Sequence, residues 1–251
     1  MTDDGPTAEA EILRRLAPGS PEWAERLGEL GDIDPAGRRA ELIRLAAAVR
    51  GVVHRLVQID APAEVIARAA DAVEEVRALL GEHHQRSMYE GFAEAANAGE
   101  PFGFFDHSPM LGRANALAPP IELWLEGEQL VGRATFSAAY EGPPGCVHGG
   151  YVAAAFDEVL GAAQSLGGSP GMTGRLTVHY RSPTPLHTEL RFVSQLESVR
   201  GRKILTTGSL WAGDRLCAEA EGLFISIDFS KFAQLRAERE ARQAGAEPPV
   251  M

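Results

Sequence analysis

The sequence has few cysteines, no long apolar run and little positive charge. Its 251 residues include two cysteines, Cys146 and Cys217, which are too few for a disulfide framework. No apolar stretch is long enough to cross a bilayer, and the polar, acidic start MTDDGPTAEAE lacks the pattern of a secretory or transit peptide. These absences predict a reduced, cytoplasmic protein with no membrane insertion.

The shortage of positive charge also restricts the partners. The formal net charge is −11, whereas a nucleic-acid-binding protein needs a basic footprint, so we expect no nucleic-acid partner. Residues 1–100 carry 19 acidic against 11 basic side chains, and the remaining residues carry 16 against 13. An anionic ligand is therefore expected on the C-terminal part of the chain.

The first part of the chain, residues 1–103, is predicted to be a helical extension. Two stripes of apolar residues recur every three or four positions, which is typical of amphipathic helices. One stripe runs from Leu42 to Leu56 and the other from Val65 to Leu80, with a break at Asp60-Ala-Pro-Ala between them. The pattern predicts a helical hairpin whose apolar faces pack together or onto the rest of the protein. We find no chemistry in this half, and we expect its histidines to be solvated or at helix ends.

Residues 104–228 have a different pattern and are predicted to form an α+β domain. Two β-like runs, 119–126 and 129–138, precede an apolar helix at 149–166, and four more follow at 175–181, 189–199, 203–211 and 215–227. The short turns between the last three runs indicate antiparallel hairpins. Residues 229–251 are predicted to be a charged helix and tail.

One stretch of this domain, GCVHGGYVAAAFDEVLG, contains an acid where a buried helix should have none. From Tyr151 to Ala163 nearly all side chains are small or apolar, but Asp157 interrupts the run with Glu158 beside it. Burying an unpaired carboxylate is costly, so Asp157 needs either a partner or a use. Glu158 lies about 100° around the helix from Asp157 and is expected at the rim or in a salt bridge.

Three spaced elements give the chain a resemblance to a known family. They are His148-Gly149-Gly150, the acid Asp157 nine residues after the histidine, and Thr173 sixteen residues further on, followed by the strand end Tyr180-Arg181-Ser182-Pro183. With them, residues 104–228 resemble the hotdog-fold acyl-CoA thioesterases of the PaaI-like group. The resemblance implies an antiparallel sheet wrapped around a central helix, protomers paired by their sheet edges, and an acyl-CoA substrate. We expect no cofactor, and no metal because Cys146 with His148 is too few ligands for a metal site.

The resemblance also implies roles for individual residues. Asp157 would be the catalytic carboxylate and the backbone N–H of Gly149 would polarise the thioester carbonyl. Thr173 would position the carboxylate or the attacking water. His148 is expected to orient the loop rather than to act as a base, and Gly150 would add to the exposed N–H groups at the helix start.

In one respect the chain departs from the family. Many members have an asparagine about six residues before the histidine, where this sequence reads Glu141-Gly142-Pro143-Pro144. Either Glu141 or the backbone takes that role, or the site differs in detail. The phosphates of CoA would need a basic patch, for which Arg202, Lys203 and Arg181 are the candidates. The alternative is that this cluster is an ordinary charged hairpin turn, which would show the same residues.

The spacing of Gly149 and Asp157 makes a further prediction. Eight helical residues place them about 12 Å apart, so one small carbonyl cannot reach both within one chain. If both act on one substrate, they come from two protomers, and we expect a homodimer or a dimer of dimers. The alternatives are a non-catalytic acyl-CoA-binding or regulatory module and a hotdog hydratase or dehydratase, which would pair an acid with a histidine at a different spacing.

Overall fold

The computed structural model describes residues 36–83, 106–168 and 171–226, and six strands in it form one antiparallel sheet. The strands are β1 (Glu122–Glu126), β2 (Gln129–Thr135), β3 (Gly171–Tyr180), β4 (Glu189–Arg200), β5 (Lys203–Ala212) and β6 (Arg215–Ser226). Their order is β1-β2-β4-β5-β6-β3, so β1 and β3 are the edges. All six predicted strands are confirmed. Residues 1–35 and 84–103 of the predicted helical extension, and the helix and tail predicted for residues 229–251, lie outside the described residues.

A single long helix, α3 (Gly149–Gln164), packs across this sheet and completes the core. Val152, Phe156, Val159 and Leu160 line its sheet-facing side and are at most 1% exposed. Its apolar composition predicts cover on every side, but the opposite side is open in the single chain, where Tyr151 is 39% exposed. Short 3₁₀ turns precede and follow the helix at Ala138–Tyr140 and Ser165–Gly167.

Edge strand β3 contains an irregularity that affects the site. Leu176, Val178 and Tyr180 face the helix side of the sheet, as the alternation predicts, opposite the inward-facing Gly222, Ala220 and Ala218 of β6. Strict alternation would place Thr173 on the other face with Thr177. A register shift between Thr173 and Arg175 instead pairs Thr173 with the inward-facing Phe224. This β-bulge at Gly174 therefore turns Thr173 towards the helix.

The N-terminal helices are α1 (Gly37–Leu56) and α2 (Ala63–Gly81), which confirms both predicted stripes as helices. Only α1 is docked closely: Ala46 is buried, Arg39 pairs with Asp106, and the His54 ring meets Tyr140 edge-on at 5.9 Å. His54 is thus half-buried rather than solvated, and it lies in the last turn of α1, as expected of a histidine at a helix end. No residue of α2 is buried in the described part of the chain. The expected packing of its apolar face is therefore wrong for the single chain.

Candidate functional site

The start of α3 presents a backbone donor. His148 is the N-cap residue, and its Nδ1 accepts a hydrogen bond from the Gly150 N–H at 3.0 Å. The next two N–H groups, of Tyr151 and Val152, donate to the His148 carbonyl. The Gly149 N–H has no partner among the residues that the structure describes. A helix start leaves such N–H groups unsatisfied and carries partial positive charge, so this one suits a carbonyl oxygen with developing negative charge.

Asp157 lies on the open side of α3, eight residues further along. Its side chain is exposed, which corrects the expectation that it is embedded among apolar groups. The reason is that position 157 lies on the side of the helix away from Phe156 and Leu160, where among the described residues only Thr173 bonds its carboxylate. The Thr173 hydroxyl donates to Asp157 Oδ1 at 2.8 Å, so the predicted pair does come together, although nothing in the sequence shows the bulge that makes it possible.

Helix α3 and edge strand β3 run side by side in opposite directions. At one end Thr173 bonds Asp157, and at the other the Tyr180 hydroxyl donates to the Gly149 carbonyl at 2.7 Å. A Cβ added to Gly149 would lie 3.3 Å from that hydroxyl, so the first turn of the helix is held closely against the strand end. The two candidate groups thus occupy opposite ends of one exposed strip formed by α3 and β3.

The loop 141–147, where the family asparagine is missing, is held by hydrogen bonds between its own residues. The Glu141 carboxylate accepts a hydrogen bond from the Gly145 N–H, and the Gly142 N–H donates to the Cys146 carbonyl. A Cβ on Gly142 would lie 2.7 Å from the His148 Cα, so this glycine lets the loop pass close behind the histidine. Glu141 therefore braces the loop that carries His148.

The three basic candidates lie at two ends of the sheet. Arg181, just after β3, is on the Gly149 side and pairs with Glu219 at 2.7 Å. Arg202, in the turn before β5, and Lys203, the first residue of β5, are at the Thr173 end, where the Arg202 Nε donates to the Ser226 carbonyl. All three are exposed. Within one protomer the structure does not bring Arg181 and the other two together.

Glu158 has a role that the sequence did not indicate. It forms no ion pair within the described ranges and instead accepts a hydrogen bond from the Ser108 hydroxyl at 2.9 Å. Burial, the larger effect, raises the pKa of this carboxyl, and the neighbouring Asp157 raises it further against the opposing effect of Ser108. Ser108 also accepts the N–H groups of Met110 and Leu111. The expected salt bridge is thus not found among the described residues: Glu158 is partly exposed, and its hydrogen bond joins the 108–111 turn to α3.

A cavity of about 380 Å³ adjoins the start of α3 on the side of that turn. Its lining is mostly apolar and comes from two parts of the chain: Pro109, Met110, Leu117, His148, Gly150, Tyr151 and Ala154. His148 and Gly150 flank the free Gly149 N–H, so the cavity begins beside the candidate oxyanion donor. Sequence reasoning does not predict this cavity, because segment 109–117 shows no regular periodicity.

The described residues bear on the questions of a metal site and of a membrane span. Within residues 36–83, 106–168 and 171–226, no three His, Cys, Asp or Glu side chains are grouped so that they could bind a metal ion. Among the helices in those ranges, none combines the length and apolarity that crossing a membrane requires.

Comparison with known proteins gives consistent similarities. The family model described as Thioesterase superfamily matches residues 144–219. Acyl-coenzyme A thioesterase THEM4 of Xenopus laevis is 38% identical over 89 residues, which are 35% of this chain and 40% of that protein. The Bos taurus protein of the same name is 37% identical over 93 residues, 36% of this chain and 38% of that one. The match thus spans about two fifths of these curated relatives.

A solved structure is similar over a larger part of the chain. The crystal structure of a thioesterase superfamily protein is 36% identical, with a TM-score of 0.64. That similarity covers 76% of this chain and 97% of the other.

Proposed function

Because this chain belongs to the thioesterase superfamily and has its hotdog fold, we propose that it is an acyl-CoA thioesterase. It would hydrolyse a CoA thioester to the free acid and CoA, and its motif supports membership of the PaaI-like group. The observation that carries the proposal is the strip formed by α3 and β3, with a free Gly149 N–H at one end and the Thr173-bonded Asp157 at the other. The names of the THEM4 relatives, acyl-coenzyme A thioesterases, support the same substrate class.

The chemistry follows from these groups. The thioester carbonyl would accept the Gly149 N–H, which stabilises the negative charge that its oxygen gains during attack. Asp157 would take a proton from water as that water attacks the carbonyl carbon, or attack the carbon itself to form a short-lived anhydride. The C–S bond then breaks, and the CoA thiolate leaves and takes up a proton. On the second route water then hydrolyses the anhydride, which releases the free acid and restores the Asp157 carboxylate. The Thr173 hydroxyl fixes Asp157 Oδ1, which leaves the other oxygen to act.

The two groups act on one carbonyl only if a second protomer is present, so we propose a homodimer, alone or within a dimer of dimers. Edge strand β3 has ten residues and, among the described strands, pairs only with β6, which leaves its other edge for a partner strand. Met172 and Tyr180 on it are 59% and 55% exposed. Antiparallel pairing of two β3 strands about a two-fold axis would bring the Gly149 end of one protomer to the Asp157 end of the other.

The same pairing would gather the basic side chains. Arg181 lies at the Gly149 end, and Arg202 and Lys203 lie at the Thr173 end, so a two-fold axis would place Arg181 near Arg202 and Lys203 of the partner subunit. Such a patch, built across the interface, would offset the acidic character of the chain for the phosphates of CoA.

Replacement of Asp157 tests the function. The full chain is assayed with acyl-CoAs of several lengths, and released CoA is measured with a thiol reagent. We expect Asp157→Asn to lower the rate by at least about a hundredfold, in the range for loss of a general base or nucleophile, while acyl-CoA binding remains.

Asp214→Asn, at an exposed carboxylate in the turn between β5 and β6, is the matched control and should keep wild-type activity. Tight acyl-CoA binding without release of CoA by the wild type would instead assign a binding module. Hydration of an unsaturated acyl group with the thioester intact would assign a hydratase.

A further inference from the structure

We propose that the 380 Å³ cavity beside the start of α3 is the acyl-group site, and that its outer wall is the segment 106–117, held in place by helix α1. This inference rests on the proposed function and adds to it the chemical class of the acyl group. The wall lies outside residues 144–219, which match the family model, so it is a feature that the family motif does not supply.

The position of the cavity makes it suitable for an acyl group. Gly149 itself does not line the cavity, but its neighbours His148 and Gly150 do, so a carbonyl bound to the Gly149 N–H would lie at the edge of the cavity. From that point Gly150 and Ala154 follow one line along α3, because four residues are close to one helical turn. An acyl chain attached to that carbonyl would run along this line, under Met110 and Leu117.

The lining selects apolar groups. Pro109, Met110, Leu117 and Ala154 present only aliphatic atoms, and Tyr151 adds a ring. In the described part of the lining there is no acidic or basic side chain except the imidazole of His148, whose Nδ1 is already bonded. Since a liquid water occupies about 30 Å³, the cavity holds about a dozen non-hydrogen atoms, which is the size of a medium-length acyl chain or an aromatic acyl group.

The wall is fixed at both ends. At its start, Ser108 donates to Glu158 of α3 and accepts the Met110 and Leu111 N–H groups. At its end, the Tyr140 hydroxyl donates to the Leu117 carbonyl at 3.0 Å. Burial raises the pKa of Tyr140 to about 12, so this donor keeps its proton at physiological pH. These anchors hold the two apolar side chains over the helix.

Helix α1 clamps the middle of the wall. The Arg50 guanidinium donates to the Asn115 carbonyl at 2.6 Å and to the Arg113 carbonyl at 3.2 Å, while Arg39 pairs with Asp106. A Cβ on Gly112 would lie 2.5 Å from the Asp106 and Ser108 carbonyl oxygens, so the segment folds tightly on itself. The N-terminal extension therefore shapes the substrate site rather than forming a separate unit.

The test compares chain-length profiles of kcat/KM for straight acyl-CoAs from acetyl to palmitoyl in the full chain. Ala154→Met fills the cavity, and we expect kcat/KM for octanoyl-CoA to fall at least about tenfold while that for acetyl-CoA stays within about twofold, because pocket contacts discriminate by such factors. Leu117→Ala removes one wall contact and should lower kcat/KM for octanoyl-CoA several-fold, again sparing acetyl-CoA. Leu79→Ala, an exposed leucine on α2, is the matched control.

Equal changes for all chain lengths, or none in either variant, would overturn the inference while leaving the thioesterase function intact. If the wild type hydrolyses no acyl-CoA, the proposed function fails and the same variants are titrated with acetyl- and octanoyl-CoA by calorimetry. A loss of affinity confined to octanoyl-CoA would then still support the cavity as the acyl site, whereas an unchanged or absent affinity for both would overturn it.

Discussion

At the scale of single residues, the two neighbouring acids of α3 differ in exposure from what their sequence context indicates, which is a buried Asp157 and a Glu158 at the rim. Asp157 interrupts an apolar run yet is exposed and bonded to Thr173, whereas Glu158 is the acid that lies against the protein and fastens Ser108. An exposed carboxylate in the single chain is consistent with a site completed by a partner, which would shield it from bulk water. Glu158 then has a structural role, and Asp157 remains available to act on a substrate.

Glu158 should make stability depend on pH. Burial raises its pKa in the folded chain, so folded protein holds this proton at pH values where unfolded protein has lost it. The stabilisation is fully present below the unfolded pKa and is lost as the pH rises through the folded pKa. Glu158→Gln keeps an acceptor for Ser108 without the charge. We expect its melting temperature at pH 8 to exceed the wild-type value by on the order of 2 °C, equivalent to about 1 kcal/mol.

The measurement is thermal unfolding followed by circular dichroism between pH 4 and pH 8. The gap between variant and wild type should shrink towards pH 4, where Glu158 is protonated in both states. A gap that is independent of pH would mean that the charge of Glu158 does not affect stability. Glu128→Gln, at an exposed acid in the turn between β1 and β2, serves as the control.

At the scale of elements, the start of α3 lets one backbone N–H be removed with little other change. Proline is favoured at the first helical position, where its missing N–H is one that the helix does not use. His148 has φ −59° and ψ 132°, which a residue before proline readily adopts. Gly149→Pro should therefore leave the helix intact and lower kcat by about 100- to 1000-fold through loss of the oxyanion donor.

Gly149→Ala is the matched control, because its Cβ meets the Tyr180 hydroxyl in the same way but its N–H remains. We expect only a small loss of kcat in this variant. Equal losses in the two variants would show that crowding against Tyr180, rather than the N–H, is responsible. Steady-state rates with one good acyl-CoA substrate, together with circular dichroism to verify the fold, decide between these outcomes.

At the scale of the whole molecule, the proposal that each site is shared between protomers predicts complementation. Asp157→Asn and Gly149→Pro are each nearly inactive alone, but a mixed dimer has one site with both groups intact. Random mixing at equal amounts makes half of the dimers mixed, each with one of two sites working, so about a quarter of wild-type activity should return.

The two variants are co-expressed with different tags, and the mixed species is purified by both tags and assayed. About half of the wild-type activity per dimer in that purified species, with almost none in either parent, is the expected result. Activity that stays at the parental level would place both groups of a working site in one chain, or show that they do not act together. Sedimentation or light scattering of the wild type reports the oligomeric state independently.

The sequence by itself determined the elements and the family. Apolar periodicities of two and of three to four residues placed all six strands and the described helices, because those periods follow directly from backbone geometry. The spacing from His148 to Asp157 to Thr173 was also sufficient to indicate the family, since chemistry fixes residue types at set distances along a helix and a strand.

Only the tertiary structure decided which groups face one another and which face water. The bulge at Gly174 turns Thr173 to the helix-facing side of the sheet, and the open side of α3 leaves Asp157 exposed. The segment 106–117 becomes the wall of a cavity through hydrogen bonds with Arg50, Tyr140 and Glu158. These contacts join residues between 23 and 65 positions apart in the chain. Local periodicity carries no information about such pairs, because their energies arise only once the chain has packed.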